Sequence, residues 1–215
     1  MKKEILYFVI LFVTISINLS AKNNKEKLDF GTIKNSNYSN KYFGFSIKIP
    51  NKWMIQDNKT KKELMKLGKD MLGKQDKDLK KMLDISDLRT VNLLTVFKYP
   101  IGTPLKFNPS IIVMAEKNHA LFGVKTGKQY LENIKKILTM GKMGYQFKKE
   151  ITTKSFNGVK FDILEADIDQ MGIQLKQQYF AVILKDYILG IVITYNSPED
   201  FKILNQTINS IHFKK

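Results

Sequence analysis

One stretch in the C-terminal third constrains this chain more than any other. Residues Ile173–Leu184 and Tyr187–Tyr195 are rich in aromatic and β-branched side chains, with Lys185 and Asp186 between them. Two such runs around a two-residue polar turn predict an antiparallel hairpin. From Tyr179 onward both side-chain parities are apolar, so both faces of the hairpin need cover. The prediction is an α+β fold, an α/β/α sandwich with a central, mainly antiparallel sheet covered by helices on both faces.

The N-terminus predicts export. A basic start at Met1–Glu4 precedes the apolar run Ile5–Val13, and Ser20 and Ala21 supply small residues at its exit. This order is typical of a secretory signal peptide, which we assign to residues 1–21. The alternative is an uncleaved anchor, but Ile5–Leu19 is shorter than the roughly 20 apolar residues of a membrane span. We expect an exported protein that is periplasmic or extracellular after cleavage.

Beyond the signal segment, the sequence predicts a linker and one domain. Residues 22–40 are rich in Lys, Asn and Ser and are interpreted as a flexible linker. Residues 41–215 are long enough for a single domain with its own core. The chain has no cysteine, which excludes disulfides, thiolate metal sites, cysteine nucleophiles and a lipid-modified N-terminal cysteine.

The net charge raises the question of polyanionic partners. The formal charge is +16, and removal of residues 1–21 would take away two lysines and one glutamate and leave +15. Of 36 basic residues, Arg89 is the single arginine. Proteins that read bases or clamp phosphates favour the planar arginine fork, so we expect no specific nucleic acid partner. A compositional bias toward Lys, Asn and Ile explains the charge most simply, and a weak contact with anionic lipid remains the alternative.

The periodicity of the chain predicts three helical regions. Residues 59–83 carry apolar side chains at three- and four-residue steps, among them Leu64, Leu67 and Met71, which indicates one or two amphipathic helices interrupted near Gly73. We expect this region to cover the sheet, although a basic amphipathic helix can also lie on a membrane. A second helix follows the cap Thr126 and ends at Gly141, and a third begins with the cap Ser197 and Pro198.

Strands are predicted in several further segments. Phe45, Ile47 and Ile49 share one parity and indicate a half-exposed strand that delivers Trp53 to the core. Val91–Tyr99 and Ser110–Glu116 are β-rich and separated by a Pro/Gly loop. Asn157-Gly158 predicts another hairpin. In its second arm the apolar parity changes near Ile163, which we interpret as a bulge.

Two ends of the predicted domain resemble a known family. The opening Tyr42-Phe43-Gly44-Phe45-Ser46-Ile47-Lys48-Ile49-Pro50 with Trp53, the helix start Ser197-Pro198-Glu199-Asp200-Phe201 and the closing Ile208-Asn209-Ser210-Ile211-His212-Phe213 resemble PsbP-like proteins. These comprise the extrinsic subunit of photosystem II and exported bacterial relatives, including DcrB-type lipoproteins. The resemblance covers roughly residues 42–213 and implies an α/β/α sandwich without catalytic residues. Unlike DcrB-type lipoproteins, this chain lacks the lipidated cysteine.

The sequence offers few groups for chemistry. His119 and His212 are the two histidines, and no Gly-x-Ser-x-Gly elbow is present, so we assign no catalytic residue and no cofactor. Glu165, Asp167 and Asp169 lie at two-residue steps on one strand face and are the calcium candidates, since calcium prefers oxygen ligands. The simpler interpretation is a solvated outward face, and we assign no metal site.

These observations favour a binding role. We expect an exported cell-envelope protein that acts as a non-enzymatic binding or accessory module through surface contacts, with an envelope protein of unknown identity as its partner. One alternative is a binder of anionic lipid or another polyanion at the envelope surface, through the lysines of residues 59–83. The second alternative is an enzyme with a non-obvious carboxylate site.

Overall fold

A computed structural model describes residues 29–73, 79–80, 90–118, 123–170 and 172–214. The predicted signal peptide at residues 1–21 lies outside these residues. So do His119 and most of the second half of the predicted helical region 59–83.

Two antiparallel sheets and three helices make up the described elements. The eight-stranded sheet has the order β4-β5-β6-β11-β10-β9-β7, with β8 also paired to β9. Its strands are β4 Met54–Ile55, β5 Thr90–Phe97, β6 Ser110–Lys117, β7 Tyr145–Phe147, β8 Thr152–Phe156, β9 Val159–Gln170, β10 Ile173–Leu184 and β11 Tyr187–Tyr195. The four-stranded sheet has the order β1-β2-β3-β12, with β1 Thr32–Lys34, β2 Asn37–Asn40, β3 Phe45–Lys48 and β12 His212–Phe213. The helices are α1 Asn58–Gly73, α2 Gly127–Met140 and α3 Pro198–Asn209.

The predicted central hairpin is confirmed. β10 and β11 pair from Lys176 opposite Tyr195 to Leu184 opposite Tyr187, in the middle of the large sheet. Both faces of the hairpin are buried, because side chains of each parity from Tyr179 onward enter a hydrophobic core.

Different layers cover the two faces. On one face α2 packs its apolar side against Leu164, Tyr179 and Val192. On the other face α3 and the small sheet pack together against Phe180 and Ile191. The predicted α+β sandwich is therefore confirmed, and the small sheet shares the second layer with α3.

The predicted starts of α2 and α3 are confirmed by their caps. Thr126 Oγ1 accepts a hydrogen bond from the backbone N–H of Gln129 at 3.1 Å, and Gln129 Oε1 accepts one from the N–H of Lys125 at 2.8 Å. Ser197 Oγ accepts from the N–H of Asp200 at 3.1 Å. These contacts satisfy N–H groups that have no partner within the helix.

The prediction of a flexible linker over residues 22–40 is wrong for its described part. Residues 32–40 form the hairpin β1–β2, and Tyr38 is 1% exposed in the core. Its hydroxyl donates to the carbonyl of Phe30 at 3.0 Å, while the Asp29 carboxylate accepts from the N–H of Lys41 at 2.8 Å. One buried aromatic side chain outweighs the polar composition around it, because its burial contributes about 1.5–3 kcal/mol.

The predicted bulge near Ile163 is also wrong. β9 pairs with β10 from Asp162 opposite Ala181 to Gln170 opposite Ile173 without a change of register. The apolar parity changes because the covered face changes along the strand. Phe161 and Ile163 face the layer of α3 and the small sheet, whereas residues from Leu164 onward with the other parity face α2. The structure places a register shift in β5 instead, between Asn92 and Leu94.

α1 confirms a helix that ends at Gly73 but not its predicted stripe. Leu64 is 8% exposed, as expected for a core position. Leu67, predicted on the same stripe, is 40% exposed, and Lys61 is buried instead at 8%. The buried face of α1 is thus rotated from the predicted one and includes a lysine.

Candidate binding cleft

A cleft opens where β4 ends along the edge of the large sheet. β4 pairs with Phe97 and Val96 at one end of β5, and the N–H of Gln56 then donates to the carbonyl of Thr95 at 2.9 Å. α1 begins just after this point, at Asn58, and lies beside the remaining part of β5. Between α1, β5 and Phe30 lies a cavity of about 460 Å³.

The residues that line the cleft come from three segments. α1 contributes positions spaced as i, i+3, i+4 and i+7, which share one face of a helix. β5 contributes three consecutive residues and the segment before β1 contributes one. The lining residues are Asn58, Lys61, Lys62, Met65, Thr90, Val91, Asn92 and Phe30.

Lys61 places a buried ammonium group in this cleft. Its Nζ donates to the carbonyl of Leu93 at 3.3 Å, at the point where the register of β5 shifts. Burial lowers the pKa of Lys61, and the negative charge of Asp57 acts in the opposite direction. Within the described ranges the Leu93 carbonyl is the one hydrogen-bond acceptor of this ammonium, which has three N–H donors.

Asn92 adds a second buried donor. Its side chain is buried at 9% exposure, and its Oδ1 accepts a hydrogen bond from the hydroxyl of Thr95 at 3.0 Å. The side-chain NH₂ of Asn92 donates to none of the residues that the structure describes. Buried polar groups are usually hydrogen-bonded, so unmatched donors at a cavity indicate a place for an acceptor.

Part of the cleft lining is apolar. Phe30, Met65 and Val91 contribute it, and the hydrogen bond from Tyr38 to the carbonyl of Phe30 fixes that segment in place. Burial raises the pKa of Tyr38 to about 12, so its hydroxyl stays protonated and remains a donor at neutral pH. The lining of the cleft thus combines cationic and amide donors with apolar side chains.

Buried polar groups under α2 are matched within the protein. Glu116, 2% exposed, accepts a hydrogen bond from the Tyr130 hydroxyl at 3.1 Å. Burial and the charge of Glu116 raise the pKa of Tyr130 well above its ordinary value. Gln177 bonds to both Tyr179 and Thr194 in the same interior. These groups hold α2 on the sheet and leave no comparable excess of donors.

The three calcium candidates lie on one strand face, as predicted, but each has its own partner. Glu165 pairs with Lys148 at 3.1 Å and accepts from Gln178 at 2.9 Å. Asp167 pairs with Lys176 at 2.8 Å, and Asp169 accepts from Gln174 at 2.8 Å. In the described part of the chain, no group of three or more His, Cys, Asp or Glu side chains is arranged to hold a metal ion.

His212 lies on β12 with its side chain exposed. Its Nδ1 is 2.9 Å from the side-chain nitrogen of Asn157. Asn157 also donates to the carbonyl of Phe213 at 2.9 Å, so it ties the β8–β9 turn to the last strand. His212 thus contacts the β8–β9 turn through Asn157, and it is not among the residues that line the cleft.

Sequence reasoning missed both buried donors of the cleft. Asp57 is followed three residues later by Thr60, whose N–H it caps at 2.7 Å. That cap would have fixed the start of α1 and put Lys61 one turn before Leu64 on the buried face. No sequence signal identified Asn92, because its burial depends on the register shift in β5.

No helix among the described residues has the length and apolar character needed to cross a bilayer. No protein-family model and no curated protein matches the chain.

Several solved structures match it. Cyanobacterial PsbP from Synechocystis matches over 83% of this chain and 91% of its own, with 9% identity and a TM-score of 0.47. LpqN of Mycobacterium tuberculosis, described as involved in cell envelope biogenesis, matches over 80% of this chain and 83% of its own, with 10% identity and a TM-score of 0.43. A Bacteroides thetaiotaomicron protein matches over 80% of this chain with 10% identity and a TM-score of 0.44, and this chain spans 46% of its length. The matching structures thus include a PsbP, a member of the family that the sequence resembles.

Proposed function

We propose that this chain is an exported, non-enzymatic binding module of the cell envelope and that the α1–β5 cleft is its binding site. The observation that carries the proposal is the excess of buried donors at Lys61 and Asn92 beside an apolar wall. Ligand sites are typically concave, mostly apolar and equipped with a few convergent polar groups. The envelope location rests on the predicted signal peptide.

The ionisable groups outside the cleft support binding over catalysis. The carboxylates of Glu165 and Asp167 form ion pairs with lysines, and the Asp200 carboxylate pairs with Lys98 at 2.7 Å. A catalytic site needs a nucleophile or base with a partner that orients it, in reach of a substrate pocket. The cleft lining supplies ammonium and amide groups, which suit recognition.

Site-specific photo-crosslinking tests the proposal. A photoreactive amino acid replaces Lys62, which is exposed at the rim of the cleft, and the variant is expressed in its native cells. Ultraviolet light is expected to attach a component of the envelope fraction at this position. The adduct is then identified by mass spectrometry after enrichment of the tagged protein.

The matched control carries the same photoreactive residue at Lys160, an exposed lysine on β9, far across the sheet from β5. An adduct at Lys62 and none at Lys160 supports the cleft as the binding site. Equal adducts at both positions, or none at Lys62, would contradict it.

A second candidate function follows from the outer face of α1. Lys59, Lys62 and Lys66 are exposed and lie within one stripe of the helix, next to the cleft. Such a stripe favours contact with an anionic membrane surface, with roughly 1 kcal/mol from each lysine near the surface.

Sedimentation with vesicles tests this candidate. Binding to phosphatidylglycerol vesicles but not to phosphatidylcholine vesicles, lost at high salt, is the expected result. Replacement of Lys59, Lys62 and Lys66 by Gln should abolish it. Replacement of the exposed Lys106, Lys149 and Lys160 by Gln removes the same charge elsewhere and should leave much of the binding intact. If both triple variants bind equally, net charge alone is responsible and the stripe has no role.

A further inference from the structure

We propose that the ligand of the α1–β5 cleft is a small amphiphilic anion, with a carboxylate or phosphate head bound by Lys61 and Asn92 and an apolar body packed on Phe30, Met65 and Val91. This inference deepens the proposed function and rests on the cleft being a binding site. It assigns the chemical class of the ligand from the charges and donors of the lining.

The sign of the ligand charge follows from the lining itself. Two lysines line the cleft, and no Asp or Glu is among its lining residues in the described part of the chain. Lys61 is more than nine-tenths buried, so its charge is poorly screened by solvent. An anionic head group would compensate that charge further than Asp57 does, whereas a cation would add a second positive charge to the same cavity.

The donors define where the head group binds. Lys61 has two N–H groups beyond the one that bonds to the Leu93 carbonyl, and Asn92 has its side-chain NH₂. An oxyanion accepts several hydrogen bonds at once and matches such a set of donors, and charge-assisted bonds of this kind are the stronger ones. The Leu93 carbonyl holds the lysine at its place in the cleft, so little ordering is needed when the ligand binds.

The apolar wall requires more than an inorganic ion. A free phosphate or an acetate would leave Phe30, Met65 and Val91 exposed to water. An aliphatic or aromatic body covers them and removes their apolar surface from water, which favours binding. The cavity of about 460 Å³ falls in the usual range for sites that enclose small organic ligands.

Isothermal titration calorimetry on the whole mature chain tests the assignment. The probes are octanoate and octyl phosphate, compared with neutral octanol, cationic octylamine, acetate and inorganic phosphate. The two amphiphilic anions are expected to bind at least about tenfold more tightly than each of the other four, because both the charge and the tail contribute. Equal affinity for octanol and octanoate would overturn the anionic head, and equal affinity for acetate and octanoate would overturn the apolar body.

Two variants locate the site. Lys61→Met keeps an unbranched side chain one atom shorter and removes the charge, and octanoate should bind to it at least about tenfold more weakly. Lys160→Met removes an exposed lysine from β9 and should bind octanoate as the unchanged chain does. The same octanoate affinity in Lys61→Met as in the unchanged chain would overturn the proposal.

Met65→Glu provides a second check, which keeps both Lys61 and Asn92 in place. It places a carboxylate four residues after Lys61 on the same face of α1, where it can bond to the ammonium in place of a ligand. Octanoate binding should be lost while the thermal midpoint is kept or raised. Retained binding in Met65→Glu contradicts the site. If no anion binds but the photo-crosslink at Lys62 persists, the ligand class is wrong and the proposed function stands.

Discussion

α1 and α2 are both amphipathic in sequence, yet the structure uses them differently. α2 buries its whole apolar stripe, namely Tyr130, Leu131, Ile134, Ile137 and Leu138, each at 2% exposure or less. α1 buries Leu64 and Lys61, leaves Leu67 exposed and encloses a cavity against β5. α2 lies over the middle of the sheet, where strands on both sides supply partners. α1 lies along an edge, where β4 is two residues long and supplies little.

The two helices also differ in whether the buried polar groups beside them are matched by hydrogen-bond partners. Under α2 a buried glutamate and a buried glutamine both have hydrogen-bond partners within the protein. At the edge, Lys61 and Asn92 are buried, and each has side-chain N–H groups beyond those that bond to described residues. The apolar stripe of α2 thus packs against the sheet, whereas α1 leaves a cavity beside β5 that a ligand can fill.

The largest expected effect is the difference between side chains of α2 and α1 in their contribution to the free energy of unfolding. Ile134→Ala, at a position with 0% exposure on α2, should lower the free energy of unfolding by about 2–5 kcal/mol, because it leaves a cavity in a close-packed core. Leu67→Ala on α1, at 40% exposure, should change it by about 0.5 kcal/mol or less. Urea unfolding followed by circular dichroism measures both. Similar losses would mean that α1 is packed as α2 is.

A smaller loss of stability is expected when a side chain of either helix is enlarged. A Cβ at Gly127, in the first turn of α2, would lie 2.4 Å from the carbonyl oxygen of Ala181 and 2.9 Å from Asp162 Oδ2. Gly127→Ala should therefore cost about 1–3 kcal/mol, because backbone must move apart. Met65→Phe adds atoms toward the cleft and should cost less than Gly127→Ala. Thermal unfolding of both variants compares them, and a larger loss for Met65→Phe would remove the distinction between a close-packed and an open helix.

The smallest expected effect is a difference in acid response. The cap of α1 is Asp57, whose pKa is lowered from its ordinary value of 3.8 chiefly by the hydrogen bond from the N–H of Thr60. A carboxyl group with a lowered pKa stabilises the folded state above its ordinary pKa, and this contribution is lost as the pH falls through the folded-state value. The cap of α2 is Thr126, which does not titrate.

Amide chemical shifts between pH 5 and pH 2 measure this response. The N–H signals of Thr60 and Lys61 should move with a midpoint below 3.8. Asp57→Asn keeps a capping side chain without a charge and should abolish the movement. An unchanged Thr60 signal would show that Asp57 does not cap α1 in solution.

The elements that sequence predicted well depend on local signals. The hairpin around Lys185 and Asp186 combines a two-residue turn with unbroken β-forming runs. Both sequence signals lie within the hairpin itself. The caps at Thr126 and Ser197 are similarly local, since each bonds to an N–H three residues away. Local rules therefore gave the order of the elements and the sandwich.

The elements that sequence missed depend on contacts between distant segments. Tyr38 lies in a polar run and becomes a core residue because β2 pairs with β3. Ile163 showed a change of parity that a bulge would explain, but the true cause is that separate layers cover the two faces of β9. Neither layer can be inferred from β9 alone.

The cleft was missed for the same reason. A lysine between Thr60 and Lys62 in a lysine-rich run indicates a solvated position, but Lys61 is buried because β4 ends early and leaves the edge of β5 to α1. The predicted site face at Glu165, Asp167 and Asp169 does exist, since strand alternation is local. Its lysine and glutamine partners come from neighbouring strands and from the loop before β8, and the spacing of the acids could not reveal them.

The small sheet joins the two ends of the described chain, and this determines when it can form. β3 pairs with β2 on one side and with β12 on the other, and the N–H of Lys214 donates to the carbonyl of Gly44 at 2.8 Å. During synthesis, β1, β2 and β3 are made long before β12, so the small sheet lacks its fourth strand until β12 has been made. Strands this far apart in sequence pair slowly, so we expect the small sheet to be completed late in folding.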